Sequence, residues 1–151
     1  MVFILSIIVV IVDQISKYFV IDKLKGTVSH VIIPGFLKFT YVENYGAAFG
    51  ILKNKKIFFI IITLIIVIFI SLFLVKYYYK ISFFMRIGLG LLLGGAIGNL
   101  IDRVRFGYVV DFINVRLFNF YDYPVFNIAD ISIVFGTIII LILTLFDKHE
   151  I

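Results

Sequence analysis

The sequence predicts a mainly α membrane protein, with four transmembrane helices and a short stretch of β-strand between the first and second. Its 151 residues are 63% hydrophobic and 15% charged, and the mean hydropathy is +1.17. Soluble domains are ~45–50% apolar and ~25% charged, and a chain of this length has too little core to bury the excess. The values argue against a soluble enzyme, a secreted disulfide scaffold and a disordered chain. They indicate a single integral-membrane domain over 1–151.

The first predicted helix covers about 2–21 and differs from a signal peptide. A bilayer core needs about 20 mostly apolar residues, and this segment supplies them although Asp13, Gln14 and Lys17 interrupt it. It has no basic region before the apolar run and no A-x-A-like cleavage site. We therefore expect it to be retained as a helix.

The other three predicted helices cover about 57–75, 87–103 and 130–146. The second helix carries no charge, whereas the third and fourth are short as uncharged runs and extend into polar motifs. Four spans place both chain ends on one side of the membrane. They place the connections 22–56 and 102–130 together on the other side.

The connection between the first two helices carries a strand signal. Residues 30–42 are rich in Val, Ile, Phe, Thr and Tyr, with one break at Pro34-Gly35, and polar and apolar side chains alternate from Lys38 onward. The later connection, 102–130, is aromatic and mixed in charge. We expect it to lie at the membrane interface, where aromatic side chains are enriched.

Basic residues are distributed unequally between the two sides. The net charge is +5, and the bases flank apolar segments, so anionic lipid headgroups explain them better than nucleic acid does. The positive-inside rule places the more basic side in the cytoplasm. The side with the two long connections has nine bases: Lys23, Lys25, Lys38, Lys53, Lys55, Lys56, Arg103, Arg105 and Arg116. The other side has four: Lys76, Lys80, Arg86 and Lys148.

Several kinds of catalytic chemistry lack the residues they need. The chain has no cysteine, which excludes thiol catalysis, and His30 and His149 are too far apart in sequence to suggest a metal site. We therefore expect neither a metal nor another cofactor. The strings G-x-S-x-G and H-E-x-x-H of serine and metallopeptidases are absent, as is the G-x-G-D of presenilin-like aspartyl proteases.

Polar residues stand where a membrane makes them costly. An ionisable group at membrane depth costs at least ~2.5–3.5 kcal/mol and is a functional candidate by default. Asp13 and Lys17 are four residues apart and can pair on one helical face; the alternative is a self-neutralising structural pair near the interface. Small residues from Gly46 onward, after Asn44, let backbone amides approach a ligand. The alternative there is a plain turn before the second helix.

The third helix contains a glycine-rich and polar stretch at 94–103. Its small residues allow a neighbouring helix to pack closely. Asn99, Asp102 and Arg103 stand at positions i, i+3 and i+4 and therefore share a face. Asp102 and Arg103 can also be explained as caps at the water interface, whereas Asn99 lies deeper in the helix.

Two aspartates stand near the junction of the third and fourth helices. Asp111 has apolar neighbours on both sides, and Asp130 follows Asn127 by three residues. A plain N-cap explains Asp130, because a helix N-terminus stabilises a carboxylate, but it does not explain Asp111. Two carboxyls held close at low dielectric cannot both ionise easily, and such a pair can activate water for amide hydrolysis. The spacing alone leaves open whether they meet.

Five blocks of the chain, taken in order, resemble the pattern of the bacterial lipoprotein signal peptidase family, also called signal peptidase II. They read DQISK, NYGAAFG, GGAIGNLIDR, GYVVDF and FNIADISI, and they start at residues 13, 44, 94, 107 and 126. The resemblance covers essentially the whole chain, and the five blocks together are highly specific.

The resemblance implies an aspartic endopeptidase of the bacterial inner membrane, with four transmembrane helices and a small extracytoplasmic β-strand cradle. Its substrate would be a diacylglyceryl-modified prolipoprotein, cleaved just before the lipidated cysteine. The catalytic residues would be Asp111 and Asp130. Residues that surround the substrate and support this dyad would be Asn44, Gly46, Asn99, Arg103 and Asn127, and Asp13 falls on a position tied to activity or stability.

The resemblance also implies an orientation, with both termini in the cytoplasm and the active site toward the extracytoplasmic side. This is opposite to the count of bases. We expect the extracytoplasmic bases to bind anionic headgroups of the outer leaflet, where the lipidated substrate resides. The expected partners are the prolipoprotein and membrane lipids and not nucleic acid, and the protein is expected to act as a monomer.

Two functions of other classes compete with this one. A small transporter or proton-conducting protein would use Asp13, Asp111 and Asp130 as relay sites. Such a path needs charges across the whole membrane, but these residues lie toward one side. A non-catalytic scaffold would use the glycine-rich face of the third helix, and it leaves the two aspartates unexplained. Ion flux in proteoliposomes would favour the transporter.

Overall fold

The computed structural model describes residues 1–46, 55–118 and 120–146. Within these residues the chain forms four long helices, all apolar enough to cross a membrane, which confirms the predicted fold class. It also forms four strands within the same residues. In chain order the elements are α1 (Val2–Leu24), β1 (His30–Ile33), β2 (Leu37–Asn44), α2 (Lys56–Tyr77), α3 (Phe83–Arg105), β3 (Val109–Leu117), β4 (Tyr121–Asp122) and α4 (Ile128–Phe146).

Capping residues set the starts of α3 and α4. The Ser82 hydroxyl accepts a hydrogen bond from the N–H of Met85 at 3.1 Å, so α3 begins before the predicted residue 87. The Asn127 side-chain oxygen accepts the N–H of Asp130 at 2.9 Å, and α4 begins at Ile128. The apolar runs start later than the helices because a charged residue in each first turn, Arg86 in α3 and Asp130 in α4, interrupts the run.

Helix α3 is the centre of the bundle and packs against α1, α2 and α4. A Cβ atom added to Gly94 would lie 2.8 Å from a carbonyl oxygen of α1, and one added to Gly98 would lie 2.7 Å from Oδ2 of Asp13. A Cβ atom added to Gly95 would collide with the carbonyl oxygen of Ala129 in α4. The glycines therefore let α1 and α4 approach α3 closely, as the small residues predict.

The strands form an antiparallel sheet in the order β1-β2-β3-β4. Strands β1 and β2 confirm the strands predicted between the first two helices. Strands β3 and β4 come from the later connection, for which the sequence predicts only an interfacial location. The first four residues of β3 are all buried, so this strand lacks the alternation that marks a half-exposed strand.

A small apolar core holds the sheet against one end of the helix bundle. Val20 of α1 packs there with Val110 and Phe112 of β3, and the partly buried Ile128 lies against them. Asp111 stands between the two β3 residues and points to the opposite face of the strand. The sheet thus carries this carboxylate to the junction of α1, α3 and α4.

Candidate active site

Asp111 is held by two side-chain amides from different elements. The residue is 2% exposed. Oδ2 accepts a hydrogen bond from Nδ2 of Asn44 at 2.8 Å, and Oδ1 accepts one from Nδ2 of Asn127 at 2.7 Å. Asn44 reaches it because β2 and β3 pair in this register. A buried carboxylate with donors on both oxygens has a fixed orientation.

Asp130 is both a helix cap and a residue of the site. Asn127 and Asp130 form a reciprocal capping box, in which each side chain accepts the other's backbone N–H, at 2.9 and 3.2 Å. The remaining oxygen, Oδ1, accepts a hydrogen bond from Nδ2 of Asn99 at 2.8 Å. The N-cap is therefore Asn127, and Asp130 is the third residue of α4. One oxygen of Asp130 completes the capping box, and the other is directed to α3.

Both aspartates line one cavity of about 420 Å³. Its polar lining includes four other residues predicted for the site: Asn44, Gly46, Asn99 and Arg103. Its apolar lining was not predicted and consists of Val109, Tyr123, Pro124, Val125, Phe126, Ile131, Ile133, Val134 and Phe135. The last two are 54% and 58% exposed on α4, so the apolar wall of the cavity continues onto the lipid-facing surface of the bundle.

The environment of Asp111, which lies on β3 outside the membrane-spanning helices, favours the protonated form. Burial raises the pKa of its carboxyl, and the charge of Asp130 raises it further, to about 7, against the opposing effect of hydrogen bonds from Asn44 and Asn127. An aspartate in water has a pKa of about 3.9. At neutral pH this carboxyl can therefore both gain and lose a proton, as acid and base catalysis requires.

The turn after β2 is fixed by local hydrogen bonds. The N–H of Gly46 donates to Oδ1 of Asn44 at 3.0 Å, which leaves the Asn44 amino group directed at Asp111. Beside it, the hydroxyls of Tyr41 and Tyr45 donate to Glu43 at 2.8 and 2.7 Å. These two hydrogen bonds, of which the one from Tyr45 has the larger effect, lower the pKa of Glu43 to about 2. The rest of the predicted block, residues 47–50, lies outside the described residues.

Arg103 and Asn127 complete the set of predicted residues around the dyad. Arg103 lines the cavity, and its guanidinium lies over the ring of Phe59 in α2, 5.0 Å from the ring centre. Asn127 is fully buried behind the two aspartates, between which it forms a bridge: its side chain bonds to Asp111, and its backbone N–H bonds to Asp130. It supports the cavity without lining it.

Asp13 lies outside the cavity, in a buried ionic cluster with Lys17 and Asp102. Lys17 Nζ is 2.9 Å from an oxygen of each aspartate, which confirms the predicted Asp13–Lys17 pair. The interpretation of Asp102 as a cap in contact with water is wrong. It is 1% exposed, and its Oδ2 also accepts the N–H of Val110 at 3.0 Å. Asp13 Oδ1 accepts the N–H of Ala129 at 3.0 Å and so ties α1 to the first turn of α4.

Comparisons with known proteins agree on one family. The chain matches the family model described as signal peptidase (SPase) II over residues 5–146. It is 44% identical to the lipoprotein signal peptidase of Halothermothrix orenii over 153 residues, covering 100% of this chain and 99% of that protein. Two solved structures of bacterial membrane enzymes are also similar, with TM-scores of 0.85 and 0.84 and identities of 43% and 45%. The alignments cover 99% and 97% of this chain and 92% and 94% of those chains.

Proposed function

The chain belongs to the signal peptidase II family, and on this basis we propose that it cleaves diacylglyceryl-modified prolipoproteins just before the lipidated cysteine. It is a multi-pass membrane protein of a peptidase family. The observation that carries the finer proposal is the cavity lined by both Asp111 and Asp130. Its apolar wall extends to the lipid-facing side of α4, which suits a substrate whose acyl chains stay in the bilayer.

The proposed chemistry is hydrolysis by an aspartate dyad. One carboxyl is ionised and takes a proton from water, while the other is protonated and donates to the carbonyl oxygen of the scissile peptide. The hydroxide adds to the carbonyl carbon and forms a tetrahedral intermediate. The carboxyl that took the water proton then donates it to the departing amine. The other carboxylate takes a proton back from a hydroxyl of the intermediate, and the C–N bond breaks to leave a carboxylic acid and an amine. The pKa of Asp111, raised to about 7 by burial and by Asp130, supports this division of roles at neutral pH.

The other predicted residues receive roles that follow from their contacts. Asn44 and Asn127 fix the two oxygens of Asp111, and Asn99 fixes Asp130. Arg103 presents a guanidinium to the cavity and is suited to bind a peptide carbonyl or a headgroup oxygen of the substrate. Gly46 lines the cavity with no side chain, which leaves room for the peptide.

The proposed enzyme works as a monomer in the bacterial inner membrane, with both termini in the cytoplasm and the sheet on the extracytoplasmic side. Support for the sheet side as a headgroup-binding surface comes from its exposed bases, including Lys55, Lys56 and Arg105. These would attract anionic lipid around the substrate. Reporter fusions within 76–86 should report a cytoplasmic location, and an extracytoplasmic one would contradict this orientation.

Cleavage of a lipidated precursor by the purified protein in proteoliposomes tests the function. We expect the wild type to release the signal peptide from a precursor with a diacylglyceryl cysteine, detected by mass spectrometry, and to leave the unlipidated precursor intact. Asp111→Asn and Asp130→Asn should each reduce cleavage to background, because neither amide can transfer the proton. Both variants should keep a cooperative thermal transition.

Asp122→Asn is the matched control, since this aspartate is exposed on β4 and pairs with Arg116 away from the cavity. It should cleave at the wild-type rate. Full activity in either dyad variant would refute the aspartate mechanism. Equal cleavage of lipidated and unlipidated precursors would refute the proposed substrate class.

A further inference from the structure

Lys17 is buried outside the cavity, and its ammonium group has an acceptor for each of its three N–H donors. The side chain is 2% exposed. Nζ lies 2.9 Å from Asp13 Oδ2, 2.9 Å from Asp102 Oδ2 and 3.1 Å from Asn99 Oδ1. An ammonium group has three N–H donors and no acceptor. Each donor therefore has one acceptor, and the third acceptor is a residue that contacts the proposed dyad.

The contact with Lys17 determines which way the Asn99 amide points. Because the ammonium can only donate, the end of the amide that faces it must be the oxygen. The amino end is then directed at Asp130, to whose Oδ1 it donates at 2.8 Å. A reversed amide would set an amino group against the ammonium and an oxygen against a carboxylate, and both contacts would be repulsive.

The same amide oxygen of Asn99 is linked to Asp111 through the side chain of Asn127. Oδ1 of Asn99 accepts a hydrogen bond from Nδ2 of Asn127 at 3.1 Å, and Nδ2 of Asn127 donates to Asp111 at 2.7 Å. One orientation of one amide thus satisfies three partners at once. If Asn99 turned over, Asn127 would lose an acceptor and Asp130 would lose a donor.

We propose that Lys17 is a positioning residue for the peptidase reaction, one that holds Asn99 in the orientation in which it donates to Asp130 and accepts from Asn127. This inference rests on the proposed function. Asp13 and Asp102 hold the ammonium in place from α1 and α3. The simpler alternative is that the cluster only fastens these two helices together, in which case loss of Lys17 would affect stability and not the orientation of the amide.

The decisive variant removes all three charges together, since loss of Lys17 alone would leave two buried carboxylates unpaired. In Asp13→Asn/Lys17→Met/Asp102→Asn the side-chain oxygens at 13 and 102 can still accept the N–H groups of Ala129 and Val110. We expect kcat to fall about 100-fold, the scale of a small misplacement of a reacting group, with KM changed less than threefold. The control Asp22→Asn/Lys23→Met removes an exposed pair of the same helix, also at 2.9 Å, and should stay within twofold of the wild type.

A double-mutant cycle separates positioning from fastening. If Lys17 acts through Asn99, adding Asn99→Ala to the triple variant should lower kcat no further than Asn99→Ala does alone. Additive losses, or a triple variant with wild-type kcat, would overturn the proposal. Should the triple variant not fold, Asp13→Asn/Lys17→Gln/Asp102→Asn takes its place in both comparisons. The glutamine keeps a polar group at position 17 but can present either an oxygen or an amino group to Asn99.

A measurement without substrate keeps this inference distinct from the proposed function. In protein labelled with ¹⁵N-asparagine, the side-chain N–H protons of Asn99 and Asn127 should exchange with solvent at least tenfold faster in the triple variant. The control should leave both exchange rates unchanged. If the wild type failed to cleave the lipidated precursor, the proposed function would be refuted, and the exchange rates would still decide the role of Lys17. Unchanged exchange in the triple variant would overturn that role.

Discussion

Helices α2 and α3 have almost the same length, 22 and 23 residues, but opposite relations to the rest of the protein. In the described part of the chain α2 buries only Ile70 and Leu74, and most of its other apolar side chains are exposed. Helix α3 buries ten residues, among them five glycines, one alanine and the polar Asn99 and Asp102. The helix with fewer apolar residues is thus the one at the centre of the bundle.

The difference shows that in a bilayer an apolar side chain gains little free energy by packing against protein instead of lipid. Lipid tails are as apolar as leucine, so an exposed apolar face on α2 gains little from contact with protein. Small residues on α3 let backbones approach, and its polar residues are costly unless neighbouring elements satisfy them. In this chain, small and polar residues mark the helix faces that meet other helices.

The largest effect should come from giving α3 a side chain where it has none. Gly95→Leu would place a Cβ atom against the carbonyl oxygen of Ala129 and within 2.8 Å of Ile133. We expect α4 to separate from α3 and cleavage of the lipidated precursor to be abolished, because backbone atoms cannot move aside as a flexible side chain can. The check is the yield of monodisperse protein in detergent and its thermal transition.

Ile65→Leu in α2 is the matched control, since Ile65 is exposed on a lipid-facing helix. Its effect on the free energy of unfolding should be below about 0.5 kcal/mol. Equal effects of the two substitutions would remove the contrast between the helices. A stable and active Gly95→Leu protein would show that α3 and α4 need not approach this closely.

A smaller and more specific effect should follow loss of a donor to the dyad. Asn44→Ala removes the hydrogen bond to Oδ2 of Asp111, and this bond stabilises the ionised form. The pKa of Asp111, already raised to about 7 by burial and by Asp130, should therefore rise further. The limb of the pH–rate profile that reports Asp111 should move to higher pH by about one unit, since a hydrogen bond to a charged group contributes roughly 1.5–3 kcal/mol and one pKa unit corresponds to about 1.4 kcal/mol.

Asn114→Ala provides the control for this shift. Asn114 lies on the same strand as Asp111, and among the described residues its side-chain oxygen has no hydrogen-bond partner. The substitution should leave the pH–rate profile in place. A limb that stays at the wild-type pH in Asn44→Ala would mean that Asn44 does not stabilise the charge of Asp111.

Part of the candidate site can be predicted from residue type because the membrane makes polar residues costly. Asn44, Asn99, Arg103, Asp111 and Asp130 stand out against an apolar background, and the structure brings all five to one cavity. The apolar wall, with Val134 and Phe135 among its residues, gives no such signal. An apolar side chain that lines a cavity looks the same in sequence as one that faces lipid.

The sequence also does not predict the contacts of a residue whose hydrogen-bond partners come from several elements. Asp102 has the position of an ordinary end-of-helix cap, yet it is buried and accepts hydrogen bonds from Gln14, Lys17 and Val110. Its partners Gln14 and Lys17 come from α1, which is far from it in the chain, and Val110 comes from β3, which follows the turn after α3. Spacing predicts pairs within one helix, such as Asp13 with Lys17, because the helical repeat fixes their separation.

The sequence by itself determined that this chain has four segments long and apolar enough to span a membrane, and where its few polar blocks interrupt them, because hydropathy and helical periodicity are local properties. Only the tertiary structure decided that the connection after α3 supplies two strands, that Asp111 and Asp130 line one cavity, and that Asn127 bridges them. These features depend on strand register and on how closely the glycines let α1 and α4 approach α3. Such distances arise between segments far apart in the chain, and no local pattern encodes them.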